Sequence, residues 1–227
     1  MHDFLLKLSI MLVPALMAVT IHEVAHGFAA ERCGDPTARL LGRLTLNPLR
    51  HLDPLGTLAL LLLGFGWARA VPVNPGNLRR SRRDMVLVAL AGPGANLALA
   101  IFCALWLRWG AALADGPPSA GDALAVIEPI SLMAAFGLYI NVILALFNLL
   151  PIPPLDGGRV LQNVLPERLA APLRRVEPFG LIIIVLLVFG TSLWHGVFAP
   201  VVFGVVALLA GPHFDIVLRT VQLLFGG

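Results

Sequence analysis

Charge is what this chain has least of. Only 13% of its 227 residues are Asp, Glu, Lys or Arg, about half the share usual in soluble domains. Apolar residues make up 58% and the mean hydropathy is +0.88, which excludes a water-soluble globular domain and describes a chain that spends most of its length in lipid. Lysine is nearly missing, with Lys7 alone. The net charge of +3 therefore comes from arginines. They cluster near the ends of apolar runs, where they read as topology signals rather than as a nucleic-acid surface. Cysteine is scarce as well: Cys33 and Cys103 lie far apart and in no C-x-x-C pair, which excludes a disulfide framework and a thiolate zinc site. The N-terminus lacks the basic n-region of a signal peptide and carries Asp3. The first apolar run is expected to be a retained helix.

The apolar runs set the order of the chain. A first span is predicted over 4–30, with Pro14 a possible kink. Four arginines follow between Arg32 and Arg50 and place that loop in the cytoplasm by the positive-inside rule. The run over 55–66 is short for a crossing and reads as a re-entrant or interfacial element. It leads into Arg69-Ala70-Val71-Pro72-Val73-Asn74-Pro75, whose prolines and β-branched residues suggest an extended edge strand. Arg79, Arg80, Arg82 and Arg83 are again cytoplasmic, so the short run enters and returns on one side. Full spans are predicted over 84–110 and 123–150, joined outside by the acidic loop 111–122. Two more apolar runs cover 179–194 and 197–218.

Inside the first span stands His22-Glu23-Val24-Ala25-His26. Imidazoles and a carboxylate are costly in an apolar helix and by default mark function. Residues four apart share a helix face, so His22 and His26 can direct ring nitrogens at one ion, with Glu23 beside them to act on an ion-bound water. The pattern needs a third ligand. Asp156 offers one, in Leu150-Pro151-Ile152-Pro153-Pro154-Leu155-Asp156-Gly157-Gly158 at the end of the third full span. Three prolines break the helix there, and irregular backbone at membrane depth is tolerated where it lines a polar cavity or is buried in protein. Two histidines and one carboxylate leave a zinc position open, the catalytic arrangement. With one outward and one inward crossing between them, Asp156 and His26 face the same side of the membrane.

These residues together resemble the site-2 protease family of intramembrane zinc metalloproteases. The resemblance is carried by His22-Glu23-Val24-Ala25-His26 and Asn148-x-x-Pro151-x-x-x-Leu155-Asp156-Gly157, with Gly92-Pro93-x-x-Asn96 between them. The segment from Gly66 to Pro75 is similar to the embedded strand region of bacterial members, and the likeness covers 21–159. It implies one Zn2+ per chain held by His22, His26 and Asp156, with Glu23 as general base and acid. It also implies a transmembrane protein substrate, single-span or otherwise, cut within or near its helix. Asn148 is favoured as a donor to the substrate carbonyl or oxyanion and Asn141 is a further candidate. Val71, Val73 and Asn74 would pair with the unwound substrate. The resulting expectation is an all-α polytopic membrane protein of about five to six transmembrane helices with a re-entrant or β-strand segment between the first two full spans. A single membrane-embedded domain over 1–227 holds a catalytic core at about 4–160 and further C-terminal spans at about 177–222. It sits in the bilayer of a bacterial or archaeal cell with its site toward the cytoplasm. The competing readings are an ion- or proton-coupled transporter using the His-Glu-Asp cluster and a helix-binding pseudoprotease that does not cut.

Overall fold

The structure is a computed structural model and describes residues 2–63, 66–114 and 121–226. Helix α1 runs over His2–Arg32 and continues through Pro14. A short α2 covers Thr37–Leu40 and α3 covers Pro54–Leu63. The long helices α4, Ser81–Ala114, and α5, Gly121–Asn148, come next. They are followed by α6 at Asp156–Val164, α7 at Glu167–Val176 and α8 at Gly180–Gly190. The chain closes with α9, Ala199–Ala210, and α10, Phe214–Phe225. It divides into two compact units, one of Val19–Ala95 with Ala145–Thr191 and one of Met1–Ala18, Asn96–Leu144 and Ser192–Gly227.

The side-chain pattern of the long helices is that of a protein in lipid. Along α1 the positions Ala18, His22, His26 and Ala30 recur every fourth residue and are all buried, while Leu8, Leu12, Met17 and Phe28 face outward. In α4, Val88, Asn96, Ala100 and Ala104 form the buried stripe, and Phe102 and Leu105 on the same helix are 65% and 56% exposed. Small residues inside and large apolar ones outside invert the soluble pattern, because lipid rather than water is the outer solvent and small side chains let helices approach. Among the described residues, four helical stretches are long and apolar enough to cross a bilayer, Leu5–Arg32, Ser81–Gly110, Val126–Asn148 and Trp194–Phe225. The chain is an all-α polytopic integral membrane protein.

Two expectations meet differences. The run over 179–194 forms only the 11 residues of α8, about half of what a crossing needs, because Thr191 turns extended and ends the helix. Residues 71–74 form no strand among the described residues. Pro72 and Pro75 bring no N–H to a ladder; just before the segment, Ala68 forms an isolated antiparallel bridge with Leu52. The expected outer loop 111–122 lies at its centre, residues 115–120, outside the described residues.

What holds 71–79 in place is instead a polar clasp on Asp35. This fully buried residue accepts hydrogen bonds from the N–H of Thr37 at 3.1 Å, its hydroxyl, the N–H of Asn74 at 2.6 Å and the amide of Asn77 at 2.9 Å. Burial by itself raises the Asp35 carboxyl, but the bonds from Thr37, Asn77 and Asn74 outweigh it and hold it below the ordinary carboxylate range. A group depressed in this way stabilises the fold above its unfolded pKa, near 4, and the contribution drains as pH falls through the folded value. Asp35→Asn is therefore expected to lower the thermal midpoint in detergent at neutral pH, by the equivalent of about 2 kcal/mol. The gap to the parent should close as the pH is taken below about 4. A gap that stays constant with pH would contradict an ionised Asp35 at the centre of the clasp.

Candidate metal centre

The site lies within the unit built from 19–95 and 145–191. His22 and His26, one helical turn apart, point the same way, with Nε2 to Nε2 at 3.0 Å. Asp156, the first residue of α6, stands with Oδ2 at 3.2 Å from both Nε2 atoms. All three residues are buried. Zinc–ligand bonds of about 2.0–2.1 Å in a tetrahedron put neighbouring ligand atoms about 3.3 Å apart, close to each side of this triangle.

Protonation supports the same fit. The Nδ1 of His26 lies 2.7 Å from the carbonyl of Val88, which can only accept, so Nδ1 carries the proton and Nε2 presents a lone pair to the cluster. Asp156 Oδ2 is buried without a hydrogen-bond partner of normal geometry. Acceptor atoms converging in a buried space call for a cation, and N and O donors of this kind suit zinc.

Local sequence explains how Asp156 arrives. Pro151, Pro153 and Pro154 end α5 and turn the chain, with Ile152 N–H bonded to the Leu150 carbonyl at 2.8 Å and Leu155 N–H to that of Ile152 at 3.0 Å. A Cβ on Gly157 would overlap the carbonyls of Leu149 and Leu150, so the turn closes this tightly only with glycine after Asp156. The start of a helix also favours a carboxylate there.

Glu23, half-buried, accepts the N–H of Val71 on Oε2 at 2.8 Å. Val71 is buried, Val73 half-buried and Asn74 exposed. Asn148 is the last residue of α5. Asn141 accepts from Asn96 at 2.8 Å and donates to the Gly137 carbonyl at 2.8 Å, an interhelical pair in the other unit. His51 is fully buried and bonds the Thr45 carbonyl at 2.8 Å. Two participants were not foreseen. Val88 acts through its backbone carbonyl, which leaves no mark in sequence. Gly92 packs its Cα face on the two imidazoles, and a side chain there would meet both.

Two imidazoles and a carboxylate gathered this way within a polytopic helical membrane protein define a membrane-embedded metalloenzyme. Residues 10–191 match the family model Peptidase family M50. YwhC of Bacillus subtilis, provisionally named a zinc metalloprotease, is 39% identical over 78% of this chain and 78% of its own length. Two proteins provisionally named zinc metalloprotease Rip2 are similar as well. That of Mycobacterium tuberculosis H37Rv is 31% identical over 87% of this chain and 73% of its own. That of Mycolicibacterium smegmatis is 32% identical over 78% of this chain and 66% of its own. No solved structure gives a significant match. The chain belongs to peptidase family M50 and is a zinc metalloprotease.

Proposed function

We propose that this protein cuts transmembrane helices of other membrane proteins, with His22, His26 and Asp156 holding one zinc ion and Glu23 carrying the proton. The observation that supports it most is the near-equilateral triangle of ligand atoms beside Glu23 on a helix long and apolar enough to cross the bilayer. Zinc held there supplies Lewis acidity toward a peptide carbonyl and acidifies water. Everything else falls to the chain. Val71 N–H holds one oxygen of Glu23; the carboxylate is the group that would take a proton from water and return it to the leaving amine. The carbonyl of Val88 keeps His26 in one tautomer. Asn148 is the candidate donor to the developing oxyanion.

A substrate helix must unwind to be cut, and its bared N–H and C=O groups then need partners. Within 71–74 the N–H groups of Val71 and Asn74 are taken by Glu23 and Asp35 and Pro72 has none. The carbonyl of Asn74 already accepts the N–H of Asn77 at 3.1 Å, so the N–H of Val73 and the carbonyls of Val71, Pro72 and Val73 are the groups offered for pairing by strand addition. The arginines at 32–50, 79–83 and 168–175 favour a cytoplasmic site.

Glu23→Gln tests the assignment. The variant keeps the ligand set, so it is expected to retain zinc while cleavage of a single-span substrate falls by a factor on the order of 10²–10⁴. Cleavage at the parental rate would remove Glu23 from the reaction.

A further inference from the structure

Beside the Val71 segment lies a cavity of about 490 Å³ lined by Arg43, Arg50, Arg69, Leu41, Leu49 and Pro72, among others. Three of these are cations and none of the lining residues is acidic. Among the described residues neither Arg43, Arg50 nor Arg69 forms an ion pair; the arginines that do are Arg39, Arg174 and Arg219.

Arg43 is the unusual member. It is 8% exposed, a degree of burial arginine seldom reaches without a paired anion. Its Nη2 donates to the carbonyl of Arg69 at 2.7 Å and to that of Ala70 at 3.4 Å. Its Nε is buried without a partner. Burial first, then the charge of Arg69, pulls the guanidinium below its ordinary pKa; Glu23 opposes this and Arg50 adds to it. Carbonyl contacts orient such a group but do not neutralise it. Three guanidinium groups around an open cavity with no acidic lining residue match the charge of a phosphate.

The surroundings say which phosphate. The 28-residue apolar stretch of α1 ends at Arg32, and the segment carrying Arg43 and Arg50 follows it directly in the chain, as juxtamembrane segments do. Leu41 and Leu49, which line the cavity, are 60% and 73% exposed, and nearby Leu40 and Leu46 are 78% and 70% exposed. Exposed leucines around a cationic cavity suit a ligand that is apolar on one side and anionic on the other. We infer that the cavity of Arg43, Arg50 and Arg69 binds the phosphodiester headgroup of an anionic membrane lipid.

The test uses the full chain reconstituted in nanodiscs of equal phosphatidylglycerol and phosphatidylcholine. It is then released into mild neutral detergent, and the lipids retained per chain are counted by native mass spectrometry, a readout independent of proteolysis. The parent is expected to keep phosphatidylglycerol in preference to phosphatidylcholine. Arg50 and Arg69 are exposed, so the double variant Arg50→Gln/Arg69→Gln should fold as the parent does. The loss of two juxtamembrane cations should weaken its preference roughly thirty-fold. Arg175→Gln removes a charge outside the cavity lining and should leave the preference unchanged. Equal retention of both lipids by the parent, or an unaltered preference in the double variant, would overturn the inference. So would displacement of the retained lipid by excess inorganic phosphate, which would assign the cavity to the free ion.

Discussion

Gly92→Ala is expected to empty the metal centre without touching a ligand. The added Cβ would stand 2.6 Å from Cε1 of His26 and 2.7 Å from Cε1 of His22, and closer still to Nε2 of His26. Real Cβ atoms do not come this near, so both rings must swing aside. Rotation of His26 also strains its 2.7 Å bond to the Val88 carbonyl, which comes from the same face of α4 one turn before Gly92. Metal sites tolerate about 0.2 Å in ligand distance, far less than the clash requires. Zinc per purified chain should drop from one to near zero and proteolysis with it, while the helical content survives because alanine is a better helix former than glycine. Gly94→Ala is the control, two residues on in the same helix, where a Cβ has no neighbour within 4 Å. It should keep its zinc. A Gly92→Ala protein with full zinc would mean that the imidazoles do not occupy the positions described.

The contrast between what sequence and structure each disclose follows from how each feature is encoded. His22 and His26 were legible because a helix has a fixed period, so spacing alone places two side chains on one face. Asp156 could be singled out because three prolines end the span just before it, and the structure brings its Oδ2 within 3.2 Å of both imidazoles. Val88 was not, since a backbone carbonyl has no residue identity to read. Asp35 stands in Gly34-Asp35-Pro36, a sequence with nothing to single it out; its importance arises from Asn74 and Asn77, 39 and 42 positions away, and tertiary pairing of this kind has no local signature. Arg43 was counted with the other arginines as a topology signal, and only burial sets it apart. The strand over 71–74 was read from β-branched residues, but propensity yields to hydrogen-bond supply. Two of the segment's N–H groups are spent on Glu23 and Asp35. The same commitments tie the segment to Glu23, next to His22 in the chain, so the bonds that use up strand donors also hold the segment against α1.

Asp156→Asn should have the other large effect, and it separates coordination from architecture. Asparagine has the shape of aspartate and can occupy the same place at the start of α6, but it brings no negative charge and is a poor zinc ligand. Zinc sites of four ligands bind with about 10–16 kcal/mol, so one ligand is worth roughly 3–4 kcal/mol, a loss of about two to three orders of magnitude in affinity. Competition with a chelator of graded strength measures this directly. Two features of the structure predict that the fold will hold. The turn that delivers residue 156 is built from backbone bonds at Leu150, Ile152 and Leu155 and from the space left by Gly157, none of which involves the carboxylate. Oδ2 of Asp156 also has no well-formed hydrogen bond to lose. The metal-free variant should therefore melt within about 1 kcal/mol of the metal-free parent, and the parent alone should gain stability when zinc is added, in proportion to the logarithm of its free concentration. An Asp156→Asn protein that still gained stability at the same zinc concentrations would move the third ligand to another residue. One that failed to fold without metal would make Asp156 a structural residue rather than a coordinating one.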